Sequence, residues 1–314
     1  MDKIVEIKNL TKMYGTHVVL DKLNLSIRQG EIYGLIGDNG AGKSTIMKVI
    51  TGLRAYTSGE LYLFGKKEKS LIPHERNKIG CLIENPTLYF DMTARQNLEI
   101  QRVQRGLVGK KCIDDVLEIV DLQDVGNKKV KSFSLGMKQR LGLAMAMLGK
   151  PQFLILDEPM NGLDPRKIRY IREVLQKLNK EDGTTILVSS HILAELHQLA
   201  NVYGFIKNGK MAQQITNREL DEYCRKHIYI EVDQVEKASC ILEQAYSDCV
   251  MKVYPENQIR IYQCDVDIMQ ITKTLVLGDI GVKTICYRGE DLESYYTNLM
   301  EERRGNETTK SRDI

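Results

Sequence analysis

A short, mostly apolar run, Ile32–Ile36, leads without a break into Gly37-Asp38-Asn39-Gly40-Ala41-Gly42-Lys43-Ser44-Thr45 and then into a helix-forming segment. The loop fits the pattern G-x-x-x-x-G-K-[ST] in the strand–loop–helix setting that the pattern requires. Glycines at these spacings let the backbone curl so that successive N–H groups face one point, and the positive end of the following helix is aimed at the same point. Lys43 adds a compact cation suited to the β and γ oxygens of a nucleotide, and Ser44 a hydroxyl suited to Mg²⁺. With glycine at about 7% of average sequence, chance yields this pattern in about one chain of this length in a hundred. The bland alternative, a glycine-rich turn, explains neither the lysine nor the setting.

A second signal lies further along. Phe153-Leu154-Ile155-Leu156 is wholly apolar and ends in Asp157-Glu158, the form taken by a buried parallel strand that delivers acids to its C-terminal edge. Asp157 is placed to hold Mg²⁺ through its water shell and Glu158 to polarise an attacking water, which separates hydrolysis from nucleotide binding alone. Without the phosphate-binding loop, the same run reads as an ordinary strand end with a helix-capping acid. Thr185–Val188 follows after the amphipathic stretch Arg166–Lys180, and strand, helix, strand implies a parallel sheet.

Between the two signals the periodicity is helical from Thr93 to Leu148, with Thr93 and Ser134 as N-caps, so a helical insert of about 85–150 is expected. After Leu220 the elements shorten into the order β-α-β-β-α-β, a ferredoxin-like α+β unit. The expected domains are therefore 1–220, 221–300 and a polar, mobile tail at 301–314. The net charge of +3, from 45 basic and 42 acidic residues, gives no sign of a nucleic-acid surface. No stretch approaches 18 uninterrupted apolar residues, and seven scattered cysteines without a Cys-x-x-Cys pair point to reduced thiols in a cytosol.

With these motifs in order, the first 215 residues or so resemble the ATP-binding-cassette family. Phe133-Ser134-Leu135-Gly136-Met137-Lys138-Gln139-Arg140 is similar to the family signature LSGGQxQR, departing at Phe133, Leu135 and Met137 while keeping Ser134 and Gly136. Alone, Ser134 is merely an N-cap. Tyr14 resembles the adenine-stacking aromatic, Asn161-Gly162-Leu163-Asp164 the D-loop, and His191 the switch histidine that contacts the γ-phosphate. As isolated residues these read as a core aromatic, a polar turn and a helix-capping histidine. Glu84 stands where the family usually has Gln, and there it can still ligate Mg²⁺ through oxygen but cannot donate a hydrogen bond when ionised. The string from Ile83-Glu84-Asn85-Pro86 to Asn97 is similar to the branch that exports bacitracin and protects producers from lantibiotics.

The resemblance implies a cassette fold with a helical signature subdomain, with ATP and Mg²⁺ as cofactors. It implies a second cassette subunit, most simply an identical chain, whose Ser134 and Gly136 complete the site. It also implies a separate transmembrane permease and a peripheral position on the cytoplasmic face of the cell membrane. The competing expectation is a soluble cassette ATPase acting as a switch on nucleic acid or the ribosome. Such proteins carry two cassettes, a long coiled coil or a zinc module, and none is evident in this sequence. A scaffold without turnover is disfavoured by Glu158 and His191.

Overall fold

The computed structural model describes residues 2–70, 73–262, 266–289 and 292–308, and the chain divides into two units, 1–217 and 218–314. Apolar alternation at the start folds into a long antiparallel hairpin of β1 (Lys3–Tyr14) and β2 (His17–Arg28), turned at Gly15. Next come β3 (Ile32–Ile36), α1 (Lys43–Ile50), β4 (Ser58–Leu63), β5 (Lys66–Lys67) and the single-turn α2 (Pro73–Arg76). After β6 (Ile79–Leu82) the helical insert comprises α3 (Ala94–Gln104), α4 (Lys111–Ile119) and α5 (Leu135–Met147). β7 (Phe153–Leu156), α6 (Pro165–Asp182), β8 (Thr185–Ser190), α7 (Leu193–His197), β9 (Val202–Lys207) and β10 (Lys210–Thr216) complete the unit.

Two sheets result, one ordered β2-β1-β4-β5 and the other β10-β9-β3-β8-β7-β6. In the second, β9, β3, β8, β7 and β6 run parallel, and β10 returns antiparallel along the edge. β3, β7 and β8 are buried along their whole length, which is why they lack alternation and read as unbroken apolar runs. The core joins Leu23, Leu25 and Ile27 of the antiparallel sheet to Ile46, Met47 and Ile50 of α1 and to Leu35 and Ile155 of the parallel sheet. Because β3, β7 and β8 are parallel, the loops leaving them open at one edge of the sheet.

Local caps set the helical insert. Thr93 and Gln96 form a reciprocal capping box on α3, and the Ser134 hydroxyl accepts from the Met137 N–H to open α5. Asn97 is fully buried and holds the chain before α3 in place by accepting from the Tyr89 N–H at 2.8 Å and donating to the Tyr89 carbonyl at 3.1 Å. Arg140 ties α5 to the end of α4 through the carbonyls of Val120 and Asp121.

The second unit follows α8 (Asn217–Cys224) with β11 (His227–Val232), α9 (Val235–Ala245), β12 (Val250–Tyr254), β13 (Gln258–Tyr262), α10 (Ile268–Leu277), β14 (Val282–Arg288) and α11 (Leu292–Thr308). Its sheet is antiparallel in the order β12-β13-β11-β14, and its core packs Ile228, Ile230, Ile259 and Ile261 against Leu242 of α9 and Leu275 of α10. Two expectations need correction. The last helix does not stop near Met300 but runs through the strong helix formers of 301–304 to Thr308, while 309–314 lie outside the described residues. Cys249 is disulfide-bonded, although Cys81, Cys112, Cys224, Cys240 and Cys286 are free.

Phe153 has no exposed surface at the centre of the first core. Phe153→Ala is expected to cost about 3–5 kcal/mol, read as a fall in the urea unfolding midpoint of the first unit.

Candidate nucleotide site

The loop between β3 and α1 closes around a buried cation. Gly40 and Gly42 take φ of 82° and 111°, and a Cβ on Gly42 would lie 2.7 Å from Leu20, so glycine is required there on both counts. Lys43 is 5% exposed, and its ammonium donates to the carbonyls of Gly37 at 2.6 Å and Asp38 at 3.1 Å. Its third neighbour is the Glu158 carboxylate, 3.5 Å away. Asp38, Asn39 and Gly40 are exposed, Ala41 is buried, and Ser44 and Thr45 begin α1 half-buried.

The two acids leave β7 with different surroundings. The register Leu156↔Val188 sets Asp157 beside Ser189, whose hydroxyl donates to Asp157 Oδ1 at 2.6 Å and accepts from the Glu158 N–H at 2.9 Å. Asp157 is thereby buried with one oxygen committed. Glu158 has φ of 46°, a left-handed conformation costing a non-glycine residue about 1–2 kcal/mol. The Ser189 bond offsets part of that cost and turns the carboxylate outward. Its Oε1 faces Lys43, and its Oε2 meets His191 Nδ1 and the Asn161 amide, each at 3.2 Å. Glu158, Ser189, His191 and Asn161 line a cleft of about 170 Å³.

Lys43, Asp157, Glu158 and His191 thus come together, joined by Ser189 and Asn161. In the sequence Asn161 belongs to the loop Asn161-Gly162-Leu163-Asp164, and no motif marks Ser189. Its sole signal in the sequence is a pair of serines, Ser189-Ser190, ending a strand that is otherwise apolar. Other candidates stand apart. Glu84, exposed and with φ of 59°, is paired with Lys48, one helical turn beyond Ser44. Tyr14 ends β1 with its ring exposed and the Lys12 ammonium 4.6 Å from the ring centre. Ser134 is exposed at the start of α5, and Gly136 packs near Leu163 and Lys167.

Among the described residues no three His, Cys, Asp or Glu side chains gather as a metal cage. Mg²⁺ needs no such cage, since it keeps several waters and takes one or two carboxylates with substrate phosphates. The free oxygen of Asp157 and the hydroxyl of Ser44 are oxygen donors of the right kind.

A strand-end carboxylate pair facing a phosphate-binding loop defines an ATP-hydrolysing P-loop protein. The ABC transporter family profile matches residues 20–161. The bacitracin transport ATP-binding protein BcrA of Enterococcus faecalis is 40% identical over 96% of this chain and 97% of its own length. The lantibiotic transport ATP-binding protein SrtF of Streptococcus pyogenes is 44% identical over 69% of this chain and 92% of its own. A solved dimeric ATP-binding cassette in a post-hydrolysis state, bound to ADP and Pi, is 29% identical with a TM-score of 0.63, and the match covers 68% of this chain and 99% of that one. The chain belongs to the ABC transporter family, as an ATP-binding subunit with ATPase activity.

Ser189→Ala removes the one hydroxyl that joins the two acids. Turnover is expected to fall about 10–100-fold with nucleotide affinity nearly unchanged, the pattern of a group that positions the reaction rather than the ground state. Steady-state ATPase assays beside nucleotide titration measure both.

Proposed function

We propose that this chain is the ATPase subunit of an exporter of bacitracin-type peptide antibiotics, acting through a separate transmembrane permease at the cytoplasmic face of the membrane. The observation that carries the catalytic half is the convergence of Lys43, Asp157, Glu158, Ser189 and His191 at one sheet edge. On this reading the loop from Gly37 to Thr45 cradles the phosphates, and Lys43 exchanges its own carbonyl partners for β and γ oxygens. Glu158, released from Lys43, then polarises the attacking water, with His191 and Asn161 fixing its Oε2. Ser44, Asp157 and Glu84, the last now paired with Lys48, would hold Mg²⁺, which would supply charge neutralisation at the phosphates. Tyr14 offers a face to the adenine.

Gly136 packs near Leu163 and Lys167 and Ser134 caps its own helix, which favours their serving the site of a second copy. The similarity to a dimeric cassette supports the same arrangement. The permease reading rests on family membership and on a groove of about 350 Å³ lined by Leu53, Ile83, Pro86, Tyr89 and Ile100, beginning beside Glu84. Among the described residues no helix is long and apolar enough to cross a membrane, so the pathway is assigned to another chain. The match to BcrA runs through both units whereas that to SrtF covers about the length of the cassette, which favours bacitracin over lantibiotics. The second unit we assign to the ferredoxin-like class on its element order and its strand order β12-β13-β11-β14.

Glu158→Gln is expected to abolish steady-state hydrolysis while retaining ATP and yielding an ATP-dependent dimer on a sizing column; unchanged turnover would refute the role of Glu158. Co-expression with its permease is expected to raise bacitracin tolerance severalfold, and Glu158→Gln to erase the gain. Unaltered tolerance to bacitracin and to lantibiotics alike would remove the substrate assignment.

A further inference from the structure

One face of the second unit's sheet is not accounted for by nucleotide chemistry. Strand alternation sends Ile228, Ile230, Ile259 and Ile261 into the core beneath α9 and α10. The cross-strand pairs His227↔Tyr262, His227↔Arg288, Tyr229↔Arg260 and Lys252↔Arg260 therefore gather these polar residues on the other face. Arg288 lies 3.4 Å from the ring centre of Tyr229, Arg260 4.2 Å from that of Tyr254, and Arg225 4.4 Å from that of Tyr262. The Lys252 ammonium is 5.9 Å from the Tyr262 ring. A guanidinium stacked on an aromatic face is held in place while its in-plane N–H donors stay free to bind an oxyanion.

Among the described residues these cations have no acidic side chain paired with them. Lys252 and Arg260 are directly opposite across β12 and β13, a like-charge pair that destabilises a sheet. Among the described residues, none of Arg225, Lys252, Arg260 and Arg288 forms an ion pair, and Glu231 on the same face is held by Lys283 at 3.7 Å. Beneath them His227 is 9% exposed. Its Nδ1 donates to the Arg225 carbonyl at 2.8 Å, while its buried Nε2 has no partner, and the buried Nε of Arg260 is likewise unpartnered. Burial lowers the affinity of His227 for a second proton, the Arg225 carbonyl opposes this, and Arg260 and Arg288 reinforce it. With Nδ1 engaged by the Arg225 carbonyl, Nε2 is the ring nitrogen left to a further partner.

We propose that this face is a binding site for a phosphate-bearing anion, with Arg225, Lys252, Arg260 and Arg288 as charge partners and His227 Nε2 as a hydrogen-bond partner. A phosphate offers each of these groups a charged or hydrogen-bonding partner. Its oxygens accept from the guanidinium edges, and a protonated oxygen donates to Nε2. The like-charge strain across β12 and β13 is relieved at the same time. A free phosphorylated solute and the headgroup of an acidic phospholipid share this chemistry.

The test uses the full chain with its phosphate loop saturated by ADP. Inorganic phosphate and pyrophosphate are titrated while the His227 ring resonance is followed by NMR, assigned through His227→Gln. A saturable shift is expected, weakened at least about tenfold in Arg260→Gln/Arg288→Gln, with ATP turnover unchanged. Lys252→Gln, at an exposed position, is expected to weaken it severalfold with the fold unchanged. Sedimentation with phosphatidylglycerol vesicles, against phosphatidylcholine, separates the sources: retention lost in the double variant identifies a headgroup, and no retention beside a phosphate shift identifies a soluble phosphate. The proposal is overturned if neither probe moves the His227 resonance, if the double variant responds as the parent does, or if a single-stranded oligonucleotide binds where both phosphates fail.

Discussion

Lys43 holds an ammonium ion almost wholly out of water, and removing a cation from water costs several kcal/mol unless partners replace its hydration. Here the replacements are two carbonyls of its own loop and the Glu158 carboxylate. The carbonyls can face inward because glycines at 40 and 42 adopt φ values forbidden to most residues, and Glu158 reaches the cation only from the left-handed turn after β7. The order of β3, β8 and β7 in the sheet, with Ser189 between the acids, follows from the need to bring these groups to one edge. A partly satisfied buried cation is also a receptor for phosphate, since its carbonyl partners are neutral dipoles that a charged oxygen outcompetes.

That arrangement assigns separate duties to adjacent acids. Asp157 is buried with one oxygen fixed by Ser189 and one left over, suited to holding a metal's water shell. Glu158 is half-buried, with contacts to Lys43, Asn161 and His191 that change once a phosphate competes for the lysine. Glu158 touches Lys43 with one oxygen and Asn161 with the other, so one carboxylate joins the phosphate-binding loop to the loop that begins at Asn161.

The parts legible in the sequence are those in which a residue's role is local. Gly42 must be glycine whatever surrounds it, Thr93 and Ser134 cap the helices they precede, and Phe153–Leu156 is apolar because both its faces are covered. Roles that arise from register were not legible. Ser189 joins the acids only because β8 lies beside β7, and Glu84 finds Lys48 only through folding. β6 and β9 escaped notice because Ile79-Gly80-Cys81-Leu82 and Val202–Lys207 are short and without alternation, so neighbouring strands rather than periodicity define them. Tyr14 and Ser134 are marked by resemblance alone, since an exposed aromatic at a strand end and an N-cap serine carry no signal of their own.

The proposed pairing of cassettes assigns Ser134 and Gly136 to the site of a second copy, so that each ATP site would be a product of two chains. The most direct measurement is the ATPase rate per subunit as the protein is diluted at saturating ATP. The account predicts that the specific rate falls on dilution, approaching second-order dependence on protein concentration once the pair dissociates, and recovers when the concentration is restored. A specific rate constant across the whole range, in a protein shown to be monomeric at its lower end, would contradict it.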